Sequence, residues 1–368
     1  MSGNQGVRPE ERRAPFRLET VLVSVDPDRY AGETGALTGL QGIAAAACMI
    51  EAMGFDVASM PEAGHDPFLP LAIAAEHTKR IGLGTNVAIA FPRSPLVMAQ
   101  MAWDLQRFSA GRFRLGLGTQ VKGHNERRYA TPWTAPPGPR LREYVLCLKA
   151  MFENFQNGER PSFSGQHYQF TLMPPVFNPG PIEHPHVPIY IAAVNTYMAR
   201  LAGELCDGIR IHPFATFRYT QEVLLPAIEL GARKADRQLS GIDIVGAPLF
   251  VTGKDEAEVQ AAAGPARQQL AFYGSTRTYH SVLEFHGWSD VGHKLHELSL
   301  EGKWQDMADL ISDEMLAEFA IKATYDELAR TLKERCGGIF STIVLNLPPQ
   351  LWEDEARLQA LIQALHQP

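Results

Sequence analysis

The chain is 368 residues long, 45% hydrophobic and 20% charged, enough to bury one large core or two ordinary ones. Its net charge of −7, from 34 basic against 41 acidic residues, argues against a surface shaped to neutralise phosphate backbones, and its plentiful apolar residues exclude a disordered chain. Four cysteines, Cys48, Cys147, Cys206 and Cys336, stand far apart without CxxC spacing, which excludes a disulfide scaffold or zinc ribbon and fits a reducing compartment.

Residues 1–15 read as a loose, arginine-rich tail with no apolar stretch of the secretory kind. No apolar run reaches the roughly 20 residues that span a bilayer. A cytoplasmic protein with neither a membrane nor a nucleic-acid partner is the expectation. Leu18–Val25 reads as the first strand, followed by a turn-rich stretch to Gly39 and a helix over 39–53 closed by Gly54. Phe55–Met60 is the next strand, and a helix over Pro67–Thr78 follows, with Lys79 and Arg80 where cations suit the dipole. Ile81–Ala90 is a strand, Pro95–Phe108 a helix, and Phe113–Gly118 a strand entered through Ser109-Ala110-Gly111-Arg112. A polar loop over 121–140 precedes a helix over Leu141–Phe155, and the proline-rich stretch 156–187 holds one β-like pair in SFSGQHYQFTL. Pro188–Ala193, Gly208–His212, Ile242–Val251 and Ile339–Leu345 complete the strands, with helices over Tyr197–Leu205 and Thr220–Asp236 between them.

Eight strands, nearly all followed by helices, predict an α/β fold: a (β/α)8 TIM barrel with insertions at its C-terminal face. The expected organisation is a tail over 1–15, one barrel domain over 16–355 with an insertion at about 256–335, and a C-terminal helix or tail over 356–368. The insertion is read as helical, with Thr324 capping its last helix, and as lying over the top face. Two strands echo each other as IGLGT (81–85) and LGLGT (115–119). Such glycines either let a ligand approach the backbone or set the taper of the barrel core.

Chemistry in such a barrel sits at strand C-terminal ends. After the second strand, Glu62 and His65 are candidate acid and base, or else Glu62 and Asp66 cap the next helix and His65 is merely exposed. Thr85-Asn86-Val87 ends the third strand, where the Asn86 amide can meet a polar ring edge or be an ordinary satisfied amide. Gly118, Thr119 and Gln120 end the fourth; the cations beyond them either engage an anion or form a solvated loop. Ala193, Val194, Asn195 and Thr196 precede a helix whose first amides can bind phosphate, whose first turn can simply be capped, or both. His184 and His186 have HxH spacing but precede their strand, so no metal is expected. GxSxG, P-loop and GxGxxG motifs are absent from the sequence.

PEAGHDPFLPLAIAAEHTKRIGLGT, WDLQRFSAGRFRLGLGTQ and VPIYIAAVNTYMARLAGELCDGI, in that order, resemble the bacterial luciferase-like monooxygenase superfamily. Within it, DPFLPLA, HGW and DEML are similar to segments of members that depend on the deazaflavin coenzyme F420. The resemblance implies an oxidoreductase that moves a hydride between coenzyme F420 and a small organic substrate. It implies cofactor contacts at Thr85, Asn86, Val87, Gly118, Thr119 and Gln120, and a cofactor phosphate at Ala193, Val194, Asn195 and Thr196. It also implies a non-proline cis peptide at Asn86-Val87, a bond that costs about 3–4 kcal/mol. The family's second-strand histidine slot is Ala63 here, so His65 must reach the same space for that part of the mechanism to hold. Where flavin members often carry an arginine after the fourth strand, this chain has Thr119, leaving the anion to backbone amides, Arg127 or Arg128. The alternatives are an FMN-dependent monooxygenase served by a flavin reductase, and a non-catalytic flavin-binding protein. Family habit implies a homodimer. Aromatics in the top-face loops (Tyr129, Trp133, Phe163, Tyr168, Phe272, Tyr273, Trp288) either line a planar pocket or pack the core.

Overall fold

The computed structural model describes residues 15–22 and 40–367. Nearly all of the expected tail, the end of the first predicted strand and the turn-rich stretch to Gly39 lie outside them. Eight parallel strands form the centre: β1 (Arg17–Val21), β2 (Val57–Met60), β3 (Gly82–Thr85), β4 (Phe113–Gly118), β5 (Ile189–Ala193), β6 (Gly208–Ile211), β7 (Asp243–Gly246) and β8 (Thr342–Val344). Each pairs with its sequence neighbour, β7 and β8 doing so across the insertion with Val245 opposite Thr342, and the β1–β8 pairing closes the ring, with Arg17 opposite Thr342. The fold is therefore the expected (β/α)8 TIM barrel. Its outer helices include α1 (Ile43–Met53), α2 (Phe68–His77), α3 (Pro95–Phe108), α4 (Pro137–Asn157), α5 (Thr196–Leu205), α6 (Leu225–Lys234) and α7 (Leu328–Cys336). The C-terminal helix α8 spans Glu355–His366.

Small local signals set these boundaries. Gly54 adopts a left-handed φ of 94° and ends α1 as its sequence position predicts. Ser94 caps α3 by accepting the Val97 amide, and Pro95 occupies the first turn, where its missing N–H costs nothing. Helix α3 buries Trp103, which stacks on Phe152 of α4 at 5.6 Å and donates its indole N–H to the Gly180 carbonyl at 3.0 Å. The large ring thus carries apolar burial while its polar atom stays satisfied. In the SAGR loop, Arg112 donates to the carbonyls of Ser109, Ile81, Ala75 and Thr78 and to the Thr78 hydroxyl. One guanidinium fork therefore binds the end of α2 to the start of β4.

The barrel interior answers the question posed by the glycine echo. A Cβ on Gly84 would meet Arg114 at 2.8 Å, and one on Gly116 would meet the Thr85 carbonyl oxygen and, at 3.0 Å, Arg210 Nε. One on Gly208 would strike the Tyr190 ring. Within the echo, Gly84 and Gly116 make room for Arg114 and Arg210 inside the ring of strands, as Gly208 does elsewhere for Tyr190, so the taper reading fits those two positions, whereas Gly118 lies against Val87. Arg210 of β6 crosses to Glu19 of β1 in a two-armed ion pair, at 2.8 and 3.1 Å. Below it Asp243 accepts from Tyr190, Ser341 and Thr342, with Arg17 at 3.3 Å.

Two expectations need correction. The strand predicted over Ile242–Val251 is two strands. The chain leaves the barrel after Gly246, and Pro248, which has no N–H for a ladder, precedes a separate strand, Leu249–Gly253. That strand pairs in parallel with Ala320–Thr324, a segment read as helical from sequence. Thr324 is the end of this strand and does not cap α7; its hydroxyl donates to Glu327 at 3.0 Å. Between the paired strands runs a long helix, Glu256–Gly274, capped by Asp255, which accepts the Glu258 amide.

Candidate active site

At the C-terminal ends of the strands the barrel opens into a cavity of about 800 Å³, within the range of small-molecule and cofactor sites. Val21, Ala192 and Val344 contribute from β1, β5 and β8, and Pro61, Asn86 and Val87 form a second wall. The helix Glu256–Gly274 covers one side with Ala262, Pro265, Gln269 and Tyr273. Strand β3 breaks at Asn86-Val87, whose peptide is cis, and resumes pairing at Ala88–Ile89 against Leu117 and Gly118. The Asn86 amide N–H donates to the Met60 carbonyl at 2.8 Å.

The remaining cofactor candidates have other surroundings. Thr85 is fully buried, and its hydroxyl both donates to the Gly116 carbonyl at 2.6 Å and accepts the Gly116 N–H at 2.8 Å. Gly118 lies against Val87: a Cβ there would sit 2.5 Å from its Cγ2. Thr119 accepts from the Asn125 side chain through its carbonyl, and Gln120, with φ 56°, folds its own amide oxygen onto the Val121 N–H. Asn195 caps α5 by accepting the Met198 amide at 3.0 Å. This leaves the earlier first-turn amides, those at Thr196 and Tyr197, as the turn's donors for an anion. The Val194 carbonyl accepts from the Tyr219 hydroxyl at 3.2 Å. Ala193 is buried beneath this turn, and its carbonyl accepts the His212 amide.

The loop after β2 is tied down by Arg93. Its guanidinium donates to Glu62 at 2.6 Å, to Asp66 at 2.9 Å and to the Ile89 carbonyl at 3.2 Å. Burial alone would lower the Arg93 pKa, but Glu62 and then Asp66 outweigh it and raise it above the ordinary value. Glu62, nearly buried, also accepts the Ile89 amide at 2.7 Å. Asp66 accepts the amides of Phe68 and Leu69 and so caps α2. His65 is exposed on this loop and does not line the cavity. Tyr129, beside Glu62, has its phenol pKa pushed up by burial and by the carboxylate charge. Arg128 donates to the Ala63 carbonyl at 2.6 Å, and Arg127 is exposed.

Two lining residues went unnamed in the sequence reading. Arg210 faces the cavity with both terminal nitrogens committed to Glu19, while its buried Nε has no partner among the described residues. His212 follows β6 directly, and its Nδ1 accepts the Phe214 amide at 3.1 Å. Burial lowers its pKa from 6.5 to about 4, so the ring is neutral near pH 7. The signal for both was available: Arg210 interrupts an apolar strand, and His212 stands at a strand's C-terminal end, where barrel chemistry gathers. Of the seven loop aromatics only Tyr273 lines the cavity. Trp133 packs on Phe91, and Trp288 stacks on His286 at 4.4 Å. His286, from the HGW segment, is fastened to Thr216 at 2.8 Å and Arg218 at 3.0 Å.

Comparison with known proteins places this geometry. The family model described as luciferase-like monooxygenase matches residues 21–340. An uncharacterised protein of Mycobacterium tuberculosis is 44% identical over 299 residues, covering 81% of this chain and 88% of the relative. The 5,10-methylenetetrahydromethanopterin reductase of Archaeoglobus fulgidus is 31% identical over 285 residues, covering 76% and 80%. The coenzyme F420-dependent tetrahydromethanopterin reductase of Methanopyrus kandleri superposes with a TM-score of 0.72 at 21% identity, over 95% of this chain and 97% of that structure. Among the described residues, no helix is long and apolar enough to cross a membrane.

Proposed function

The chain belongs to the luciferase-like monooxygenase family, and from that premise we propose that it is an oxidoreductase binding coenzyme F420 beside a small organic substrate in the cavity at the barrel mouth. The observation that carries this reading is the cavity itself. Its volume of about 800 Å³ accommodates a flat ring system and a second small molecule together. Apolar walls (Pro61, Val87, Ala192, Val344) suit ring faces, whereas Asn86 and the unpaired Nε of Arg210 are polar groups suited to a ring edge. These residues fit a flavin or deazaflavin, and the likeness to an F420-dependent reductase favours the deazaflavin.

When bound, a deazaflavin supplies two-electron hydride chemistry. The protein's part is to hold, orient and shield. Asn86 and Val87 form the wall for the ring face, with Gly118 leaving the space into which Val87 packs. Thr85 locks β3 to β4 behind them. The segment 193–196 leads into α5, whose free first-turn amides at Thr196 and Tyr197 are offered to the phosphate, with Thr119 and Gln120 flanking the route. Glu62 acts through Arg93 as the anchor of the loop after β2, on which His65 is exposed.

Equilibrium dialysis against coenzyme F420 and FMN tests the reading. Retention of F420 with little FMN is the expected result. Preferential retention of FMN would overturn it in favour of a monooxygenase that receives reduced flavin from a reductase partner.

A further inference from the structure

Resting on the reading of this cavity as the active site, we propose that His212 is the hydrogen-bond donor for the substrate. Its Nε2–H would receive an uncharged oxygen, a carbonyl or a hydroxyl, between the end of β6 and the helix Glu256–Gly274.

The geometry of the imidazole is fixed on several sides. The His212 backbone N–H donates to the Ala193 carbonyl at 3.0 Å, which sets the position of the residue at the end of β6. The ring lies against Tyr273 at 4.9 Å, edge to face, and against Tyr279 at 4.5 Å. Its Nδ1 accepts the Phe214 amide at 3.1 Å, and a nitrogen that accepts from an N–H carries no proton. The proton of the neutral ring therefore sits on Nε2. Nε2 has no partner among the described residues, although His212 lines the cavity. Burial, which holds the pKa near 4, keeps this donor form in place across the physiological range. A neutral imidazole held in one tautomer polarises an oxygen without giving up its proton.

The company of this donor selects the kind of oxygen. Thr252, Gln269 and Tyr273 share its side of the cavity, and the buried Thr252 hydroxyl has no partner among the described residues. Among the described lining residues there is no aspartate, glutamate or lysine, and the charge of Arg210 is taken up by Glu19. A carboxylate or phosphate entering here would leave water without a counter-charge, whereas an uncharged oxygen needs only the donor.

The test uses the full-length protein, ¹⁵N-labelled at histidine, and three probes that share one ring: cyclohexanone, cyclohexanol and cyclohexanecarboxylate. The His212 resonances are identified by their loss in His212→Phe. The expected result is a saturable shift of His212 Nε2 with the ketone and the alcohol and none with the carboxylate at equal concentration. His212→Phe should weaken ketone binding about tenfold, the loss of one hydrogen bond, while His212→Gln, which keeps an N–H donor, should retain most of it. The proposal is overturned if the ketone and alcohol leave His212 unshifted up to their solubility, if His212→Phe with a wild-type melting curve binds them as wild type does, or if the carboxylate shifts the ring equally. A parallel fluorescence titration with coenzyme F420 separates the two readings. Binding of F420 without the probe response refutes the donor role alone, and the probe response without F420 binding refutes the cofactor reading alone.

Discussion

Glu19→Gln is the most informative single perturbation of the barrel. Glu19 and Arg210 are 0% and 5% exposed as side chains and meet through both arms of the guanidinium, at 2.8 and 3.1 Å. They lie 191 residues apart in sequence on β1 and β6, which are not neighbours, so their contact crosses the interior of the ring. The substitution keeps the shape of the side chain and removes its charge. Arg210 then stays inside without a counter-ion, next to Tyr190 at 5.7 Å, and one of its arms faces an amide N–H instead of an oxygen. Removing one partner of a buried pair costs about 3–5 kcal/mol, a large share of the roughly 5–15 kcal/mol that holds a folded domain together. Replacing both residues, as Glu19→Met with Arg210→Met, takes away the charge and its partner together and should recover most of that loss. Urea unfolding followed by circular dichroism and tryptophan fluorescence on wild type, Glu19→Gln, Glu19→Met, Arg210→Met and the double methionine variant completes the cycle. A cost below about 1 kcal/mol for Glu19→Gln, or a double variant no more stable than Glu19→Gln, would refute the view that charge pairing organises the interior.

Three further predictions follow from the same kind of reasoning. Arg93→Leu strands Glu62, which is nearly buried, and should cost about 2–4 kcal/mol; hydrogen exchange should show the loop 61–66 opening faster while the strands on the opposite side keep their protection. Gly116→Ala drives a methyl group into the Thr85 carbonyl oxygen and towards Arg210 Nε at 3.0 Å, so a loss of at least about 1–3 kcal/mol is expected, and a stability within error of wild type would contradict the packing described. His212 has a folded pKa near 4 against an ordinary 6.5, so between these values the unfolded chain holds the extra proton; stability is full above pH 6.5 and falls by about 3 kcal/mol as pH drops through 4, and His212→Phe should flatten that part of the profile.

The parts of this molecule that were legible in its sequence are those fixed by local chemistry. Ser94-Pro95 opens α3 and Gly54 closes α1 because caps depend on one or two residues. The strands could be counted in order because each is a short apolar run bounded by turn residues. The break at Asn86-Val87 was legible only through likeness to a family, since nothing in the residue types of TNVA demands it. Tertiary pairing decided the remainder. Ala320–Thr324 follows a helix, Asp313–Phe319, without a turn residue between them, and becomes a strand because Leu249–Gly253 offers it a free edge. The glycine echo could not be read without knowing that Arg114, Arg210 and Val87 fill the space its glycines leave.

The candidate site divides in the same way. Glu62 and His65 stood out as an acid and a base in a glycine-containing loop, but proximity in sequence did not predict that Arg93, 31 residues further on, would claim the carboxylate. His212 was easier to overlook because a lone histidine after GIRI has no neighbour in sequence that suggests chemistry. Its character comes from Phe214 on one nitrogen and from Tyr273 and Tyr279, more than 60 residues away, around the ring. Those residues belong to the barrel end and to the insertion respectively. The surroundings of His212 therefore come from both parts, and the segment that makes the chain longer than a bare barrel supplies part of the burial that lowers the pKa of the ring. Insertion variants that keep the barrel but displace Tyr273 should return His212 toward an ordinary pKa before they disturb the Glu19–Arg210 pair beneath it.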